Sequence, residues 1–214
     1  MRKVHLLLLL GTPVLAGALA GCFELAAVGA GAAVLSVEDR RTTGTQVEDE
    51  GIELRASNRI GERFGNKVHI NVTSYNRNVL LTGEVPNAQA RAEIEQIVRG
   101  LPNVRGVTND LQVAGLSSLT ARSNDGFITS KVKARFLDAG KFSPVHVKVV
   151  TEASVVYLLG IVTEKEAADA VEVARTTGGV RKVVKVFEYC RPTDAVCRPG
   201  EPPKGEAPKS KSGT

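Results

Sequence analysis

Tryptophan is absent, and aromatic side chains are scarce: three tyrosines and six phenylalanines in 214 residues. A chain so poor in aromatics lacks the flat platforms on which nucleic-acid bases stack. Its charge is not lopsided either. The formal net charge is +5, from 28 basic and 23 acidic residues, too balanced for a general nucleic-acid binder. No Ser/His/Asp or Cys/His set, no glycine-rich phosphate loop and no paired acids stand out, so the sequence reads as that of a non-enzyme without a cofactor. His69 and His146 occupy matched positions, on the polar side of predicted strands. With no cysteine or carboxylate cluster at ligand spacing in the sequence, no metal site is expected there.

Long apolar runs are also missing. Phe23 to Val37 is rich in Ala, Gly and Val, but its roughly fifteen residues fall short of the roughly 20 that a membrane-spanning helix needs. What is present is an N-terminal order of Arg2 and Lys3, a leucine-rich stretch from Val4 to Leu10, and small residues from Ala16 to Gly21. That order reads as a signal peptide, the alternative being a short apolar helix that ends in a buried cysteine. Leu19-Ala20-Gly21-Cys22 resembles the bacterial lipobox. The resemblance implies cleavage before Cys22, acylation of Cys22 and a membrane anchor firm enough to persist, because several acyl chains hold where one does not. Phe23 follows the cysteine where an Asp would signal inner-membrane retention, so the implied destination is the outer membrane, facing the periplasm. The expected divisions are a signal peptide over 1–21, a lipidated tether over 22–46, folded units over 47–115 and 122–189, and a tail over 190–214.

The two units are repeats. Lys67-Val-His-Ile-Asn-Val72 corresponds to Pro144-Val-His-Val-Lys-Val149, Val79-Leu-Leu-Thr-Gly83 to Val156-Tyr-Leu-Leu-Gly160, and Asp49-Glu-Gly-Ile52 to Asp125-Gly-Phe-Ile128. In the first unit Ile52, Ala56 and Ile60 recur at helical spacing, whereas Val68, Ile70 and Val72, then Val79 and Leu81, alternate as half-buried strands do. Asn87 can cap a second helix with an apolar stripe of Ala90, Ile94, Ile97 and Val98, stopped by Gly100 and Pro102. A last strand alternates Val107, Asn109, Leu111 and Val113. The second unit repeats the order with Ile128, Val132 and Phe136; Val145, Val147 and Val149; Val156 and Leu158; Ala167, Val171 and Ala174; and Val183, Val186 and Phe187. Each unit is thus predicted to be αββαβ, an α+β fold in which two helices cover one face of a three-stranded sheet. Gly83 and Gly160, at the predicted ends of matched strands, are expected to serve a tight turn or a close approach of the backbone.

The αββαβ unit with its strand-ending glycine resembles the BON domain. Two such units behind a lipobox resemble the dual-BON, DolP-like family of outer-membrane lipoproteins. "GTQVEDEGIELR" at 44–55, "INVTSYNRNVLLTGEVPN" at 70–87, "SNDGFITSKV" at 123–132 and "GIVTEKEA" at 160–167 carry the resemblance, which runs from about Cys22 to Tyr189. It implies binding of anionic phospholipid, such as phosphatidylglycerol or cardiolipin, through the second unit. It further implies support of outer-membrane integrity and enrichment at the division site. Where the family commonly has Trp, this chain has Phe127, which lacks the indole N–H favoured at membrane interfaces.

The residues themselves offer a place for lipid. On a helical projection of the segment opening the second unit, Phe127, Ser130, Lys131, Ala134 and Leu137 fall opposite Ile128, Val132 and Phe136, with Lys133 beside them and Arg135 near the edge. An apolar wedge flanked by cations suits a lipid surface, because methyls and rings enter the acyl boundary while ammonium groups meet phosphates. The same pattern suits Phe127 as a staple against the sheet edge with the lysines as a solvated face, or a contact with an envelope protein in assembly or cell-wall hydrolase control. The first unit's equivalent helix carries Glu53 and Glu62 among Arg55, Arg59 and Arg63, without an outward aromatic, and should bind lipid poorly. Beyond Tyr189, Cys190 and Cys197 enclose a short loop that reads as a disulfide rather than free thiols in an oxidising compartment. The Pro-, Gly-, Lys- and Glu-rich end after it reads as disordered.

Overall fold

The computed structural model describes residues 39–198. Cys22, the signal segment and the tail after Arg198 lie outside them. The first unit runs α1 (Thr43–Phe64), β1 (His69–Tyr75), β2 (Asn78–Val85), α2 (Ala88–Arg99), β3 (Gly106–Asn109) and β4 (Gln112–Val113). The second runs α3 (Leu119–Ala139), β5 (Lys148–Glu152), β6 (Val155–Val162), α4 (Glu164–Arg175) and β7 (Lys182–Tyr189). Each helix begins where a side chain can satisfy an orphan N–H: Thr42 caps α1, Asn87 caps α2 and Ser118 caps α3. At α4, Thr163 and Glu166 form a reciprocal capping box.

In both units the first two strands form an antiparallel hairpin, and the third strand joins the second in parallel. The helices cover one face. In the first unit Ile52, Ala56 and Ile60 of α1 and Ala90, Ile94 and Val98 of α2 pack on Val79, Leu81 and Val85. In the second, Ile128, Val132 and Phe136 meet Val156, Leu158 and Val162 under Ala167, Ala170 and Ala174. The α+β reading, with two such units in tandem, is what the structure shows.

Four details depart from the sequence reading. First, the central strands are not half-buried: seven of the eight residues in β2, and likewise in β6, are buried. Leu80, Tyr157, Leu159 and Ile161 break the alternation, and with Tyr75 and Cys197 they form a third apolar cluster in which the bare faces of the two sheets meet. Second, Val145 and His146 lie in a 3₁₀ turn over Pro144–His146, not in a strand. Pro144 has no N–H for a ladder, and its fixed φ suits the turn. Third, the last strand of the first unit is interrupted. Asn109 Oδ1 accepts the Leu111 N–H at 3.2 Å and withdraws it from the ladder, although pairing resumes at Glu84↔Gln112. Leu111 is fully buried, while Val113, expected on the same face, is exposed.

The fourth departure concerns the glycines, which sit inside β2 and β6 rather than at their ends. A Cβ on Gly83 would lie 2.1 Å from the His69 carbonyl oxygen, and one on Gly160 2.2 Å from that of His146. The matched glycines therefore let the chain entering each hairpin cross closely over the neighbouring strand. Gly83 also has φ of 116°, open to glycine but not to L side chains.

Candidate functional site

The rotation of α3 about its axis is fixed from the buried side. Asp125, itself buried, accepts the N–H groups of Ala153 at 2.9 Å and Ser154 at 2.8 Å. These two residues form the β5–β6 turn and both have positive φ, 50° and 63°. Asp49 does the same in the first unit, accepting the N–H groups of Asn76 at 2.8 Å and Arg77 at 2.7 Å. A carboxylate meeting both turn amides stabilises a two-residue hairpin built without the usual glycine. Farther along α3, Thr129 donates to Thr151 at 2.7 Å, and Arg135 donates to Val173 O at 3.1 Å and Thr177 Oγ1 at 2.9 Å.

So anchored, α3 turns an apolar stripe to solvent. Phe127 is 62% exposed and Leu137 69% exposed. Ser130, Lys133 and Ala134 are exposed beside them, and the Ser130 hydroxyl is already satisfied by Gly126 O at 3.0 Å. Leu119, 81% exposed, extends the stripe to the start of the helix. From Leu119 to Leu137 it is about 27 Å long at 1.5 Å per residue. The sequence reading began this unit at residue 122 and so missed Leu119. The signal was there in the N-cap Ser118 and in Leu119, which lies about five helical turns before Leu137 and so on the same face.

The cations divide into two kinds. Lys131 is half-buried and donates to Gly178 O, with its ammonium 4.8 Å from the centre of the Phe127 ring. Arg135 is committed to the end of α4. Lys133 has no hydrogen bond or ion pair among the described residues, so its charge is open to a phosphate.

In the register that aligns Asp49 with Asp125 and Ile52 with Ile128, α1 carries Gly51 where α3 carries Phe127, and Gly61 where α3 carries Leu137. The repeated fold thus presents a bulky outward wedge on one copy and bare backbone on the other. Leu54 and Val47 of α1 are each 63% exposed, but Leu54 stands between Glu53 and Arg55.

Where the chain enters the described fold, it is held to both units. Arg40 donates to Ile161 O at 2.7 Å and to both oxygens of Glu166, at 2.8 and 2.9 Å. Arg41 pairs with Asp49 at 3.0 Å and stacks 4.1 Å over Tyr75. Burial alone would raise the Glu166 carboxyl, but hydrogen bonds from His146, Arg40 and the Thr163 N–H hold it well below the usual carboxylate range. Burial pushes the Tyr75 phenol up to about 12.

The histidines do have carboxylate company. His146 Nδ1 is 3.3 Å from Glu166 and His69 Nδ1 is 3.1 Å from Glu84. Those partners come from the start of a helix and from the neighbouring strand, so no spacing along the sequence reveals them. Cys190 and Cys197 are joined by a disulfide with Cα atoms 6.3 Å apart.

The BON domain family model matches residues 49–115 and 124–191, the two units just described. The chain belongs to the dual-BON, DolP-like family of outer-membrane lipoproteins. It is 37% identical over 174 residues to the outer membrane lipoprotein DolP of Haemophilus influenzae, covering 80% of this chain and 90% of that one. To the 21 kDa hemolysin of Actinobacillus pleuropneumoniae it is 33% identical, over 71% of this chain and 79% of that one. Among solved structures, CdsD of the Chlamydia trachomatis type III secretion system matches 68% of this chain and 92% of its own, at 13% identity and a TM-score of 0.27. The BON description and the DolP name are not those of enzymes. Among the described residues of this dual-BON protein, no helix is long and apolar enough to cross a membrane.

Proposed function

We propose that this lipoprotein, anchored in the outer membrane through acylated Cys22 and facing the periplasm, binds anionic phospholipid through α3 of its second BON unit. In that reading it supports outer-membrane integrity, including at the division site as its family resemblance implies. The observation that carries the lipid reading is the exposed stripe of Leu119, Phe127, Ala134 and Leu137 with Lys133 at its border. Among the described residues no element covers that stripe, and the counterparts of Phe127 and Leu137 in α1 are Gly51 and Gly61. Apolar residues of this kind enter the acyl boundary, where each buried methylene contributes roughly 0.8 kcal/mol. Lysines near an anionic surface add about 1 kcal/mol each, screened by salt. Lys133 is ready to do so as it stands, whereas Lys131 must first release Gly178 O.

Flotation of the protein without its acyl anchor on vesicles with and without phosphatidylglycerol or cardiolipin tests this reading. Phe127→Glu should abolish binding at every salt concentration, since it places a charge where a ring enters the acyl region. Lys133→Glu should weaken binding only to anionic vesicles, by about thirtyfold for roughly 1 kcal/mol lost and a further repulsion of similar size. High salt should reproduce the lysine effect. If Phe127→Glu, folded by circular dichroism, floats with cardiolipin vesicles as the parent does, the lipid reading fails and the face belongs to a protein contact.

A further inference from the structure

Three ligand-type side chains converge at the seam between the units, on the sheet side of α3 and away from its exposed stripe. His69 opens β1, Glu84 lies near the end of β2, and Glu152 ends β5 in the other unit. One nitrogen or oxygen of each lies within 4.8 Å of the other two. Both carboxylates are more than nine-tenths buried, Glu84 at 7% exposure and Glu152 at 5%.

Their hydrogen-bond partners, His69 aside, are neutral. Ser117 gives Glu84 its N–H at 3.2 Å and its hydroxyl at 3.0 Å, and Asn71 gives Glu152 an amide N–H at 2.6 Å. Among the described residues neither carboxylate has a lysine or arginine within ion-pair distance. Arg122, on the wall of the adjoining cavity, directs its Nε to Ser117 Oγ at 3.0 Å. When both are ionised, the two buried carboxylates therefore carry more negative charge than the one imidazole beside them can pair. Buried carboxylates in that condition are matched by a counter-charge or a metal, or take up a proton. A cavity of about 380 Å³, bordered by His69, Asn71, Asp125, Thr129 and Glu152, opens beside the cluster and provides room for an ion and its waters.

We propose that His69, Glu84 and Glu152 form a divalent transition-metal site of the kind zinc occupies, and that the bound ion clamps the two BON units across their seam. One imidazole and two carboxylates are a hard-to-borderline donor set. Three protein ligands leave a fourth position for water from the cavity. Donor atoms at the corners of a tetrahedral zinc site, each about 2.0–2.2 Å from the ion, lie roughly 3.3–3.6 Å apart. His69 and Glu84 already stand 3.1 Å apart, and the widest pair, no more than 4.8 Å apart, draws in by at most about 1.5 Å on binding. Two ligands come from the first unit and one from the second, so the ion would favour the docked arrangement over separated units by mass action. The expectation of no metal at His69 rested on neighbours along the sequence; strand pairing and docking supply the carboxylates instead.

Titration of ZnCl₂ into the EDTA-washed full-length protein in detergent, followed calorimetrically and by thermal melting, tests the site. The expected result is one saturable zinc per chain and a raised melting temperature. His69→Ala and Glu152→Gln should each weaken binding by roughly tenfold or more and remove the rise in melting temperature. Glu152→Gln keeps the size of the side chain and an oxygen for Asn71, and circular dichroism confirms its fold before titration. Absence of binding by the parent, or zinc held equally tightly by both variants, overturns the proposal. So does CaCl₂ binding as tightly as ZnCl₂ and surviving His69→Ala, because the imidazole is then not a ligand.

Discussion

Asp49 and Asp125 are the residues on which each repeat turns. Each reaches from the first helix of its unit to the two amides of the following hairpin turn, and nothing but a carboxylate offers two good acceptors in that position. Asp125→Ala should therefore leave two inward-facing N–H groups without partners, at about 1–3 kcal/mol each. Urea unfolding should show a loss of about 2–6 kcal/mol, and α3 should lose its fixed rotation. An unchanged midpoint would mean that water or Ser154 takes over the amides. The Asp match was visible in the sequence as part of the repeat, but its role was not, because its partners lie nearly thirty residues downstream across a turn.

At the scale of elements, helices were legible because their signals are local: Asn87 stands beside the helix it caps, and the stripes of Ile52, Ala56 and Ile60 and of Ile128, Val132 and Phe136 each recur within a few turns, whereas the caps Thr42, Ser118 and Thr163 needed coordinates. Strand positions were legible as far as their periodicity held. What alternation could not show was that Leu80, Leu159 and Ile161 fill a second interface, since an apolar residue on the outer face of a strand does not say what covers it. The outward stripe of α3 was read from the same projection and stands where expected, while the commitment of Lys131 and Arg135 to the α4 end needed coordinates. The two glycines of α1 allow a gain-of-function test at this scale. A Cβ at Gly61 meets nothing within 4 Å, and one at Gly51 meets only the flexible guanidinium of Arg55. Gly51→Phe with Gly61→Leu should therefore fold, gain helix propensity of roughly 1–2 kcal/mol over the two sites, and give the first unit an exposed wedge. If insertion of such a wedge drives membrane binding, the double variant should restore flotation to Phe127→Glu at least partly; no restoration would mean that the cations or the shape around α3 are indispensable.

Across the whole molecule, two sheets stand back to back with their helices outside, and polar bonds ring the apolar seam. Tyr157 donates to Asp110 at 2.7 Å, Asn78 to Glu188 at 2.9 Å and Lys148 to Glu53 at 3.0 Å, each linking one unit to the other. Arg40 and Arg41 add the segment that enters the described fold to this seam, one gripping the second unit and the other the first. Fully extended, the chain between Cys22 and Asp39 reaches at most roughly 60 Å, so an acylated Cys22 would leave α3 within range of the same membrane. The Arg40–Glu166 contact should make that attachment sensitive to acid. Because the folded protein holds Glu166 below its ordinary 4.5, the fold favours the ionised form. The resulting stability is full above about pH 4.5 and is lost progressively as the pH falls through the depressed folded-state value. Glu166→Gln, which keeps the shape but not the charge, should cost about 1–3 kcal/mol near neutrality, the range for hydrogen bonds to a charged group. Urea unfolding of parent and variant from about pH 7 down to about pH 3 should show the two stabilities converging below about pH 4.5. Curves that stay parallel through that range would show that Glu166 contributes through packing and capping of α4 alone, and that the Arg40 pairing does not hold the entering segment to the second unit.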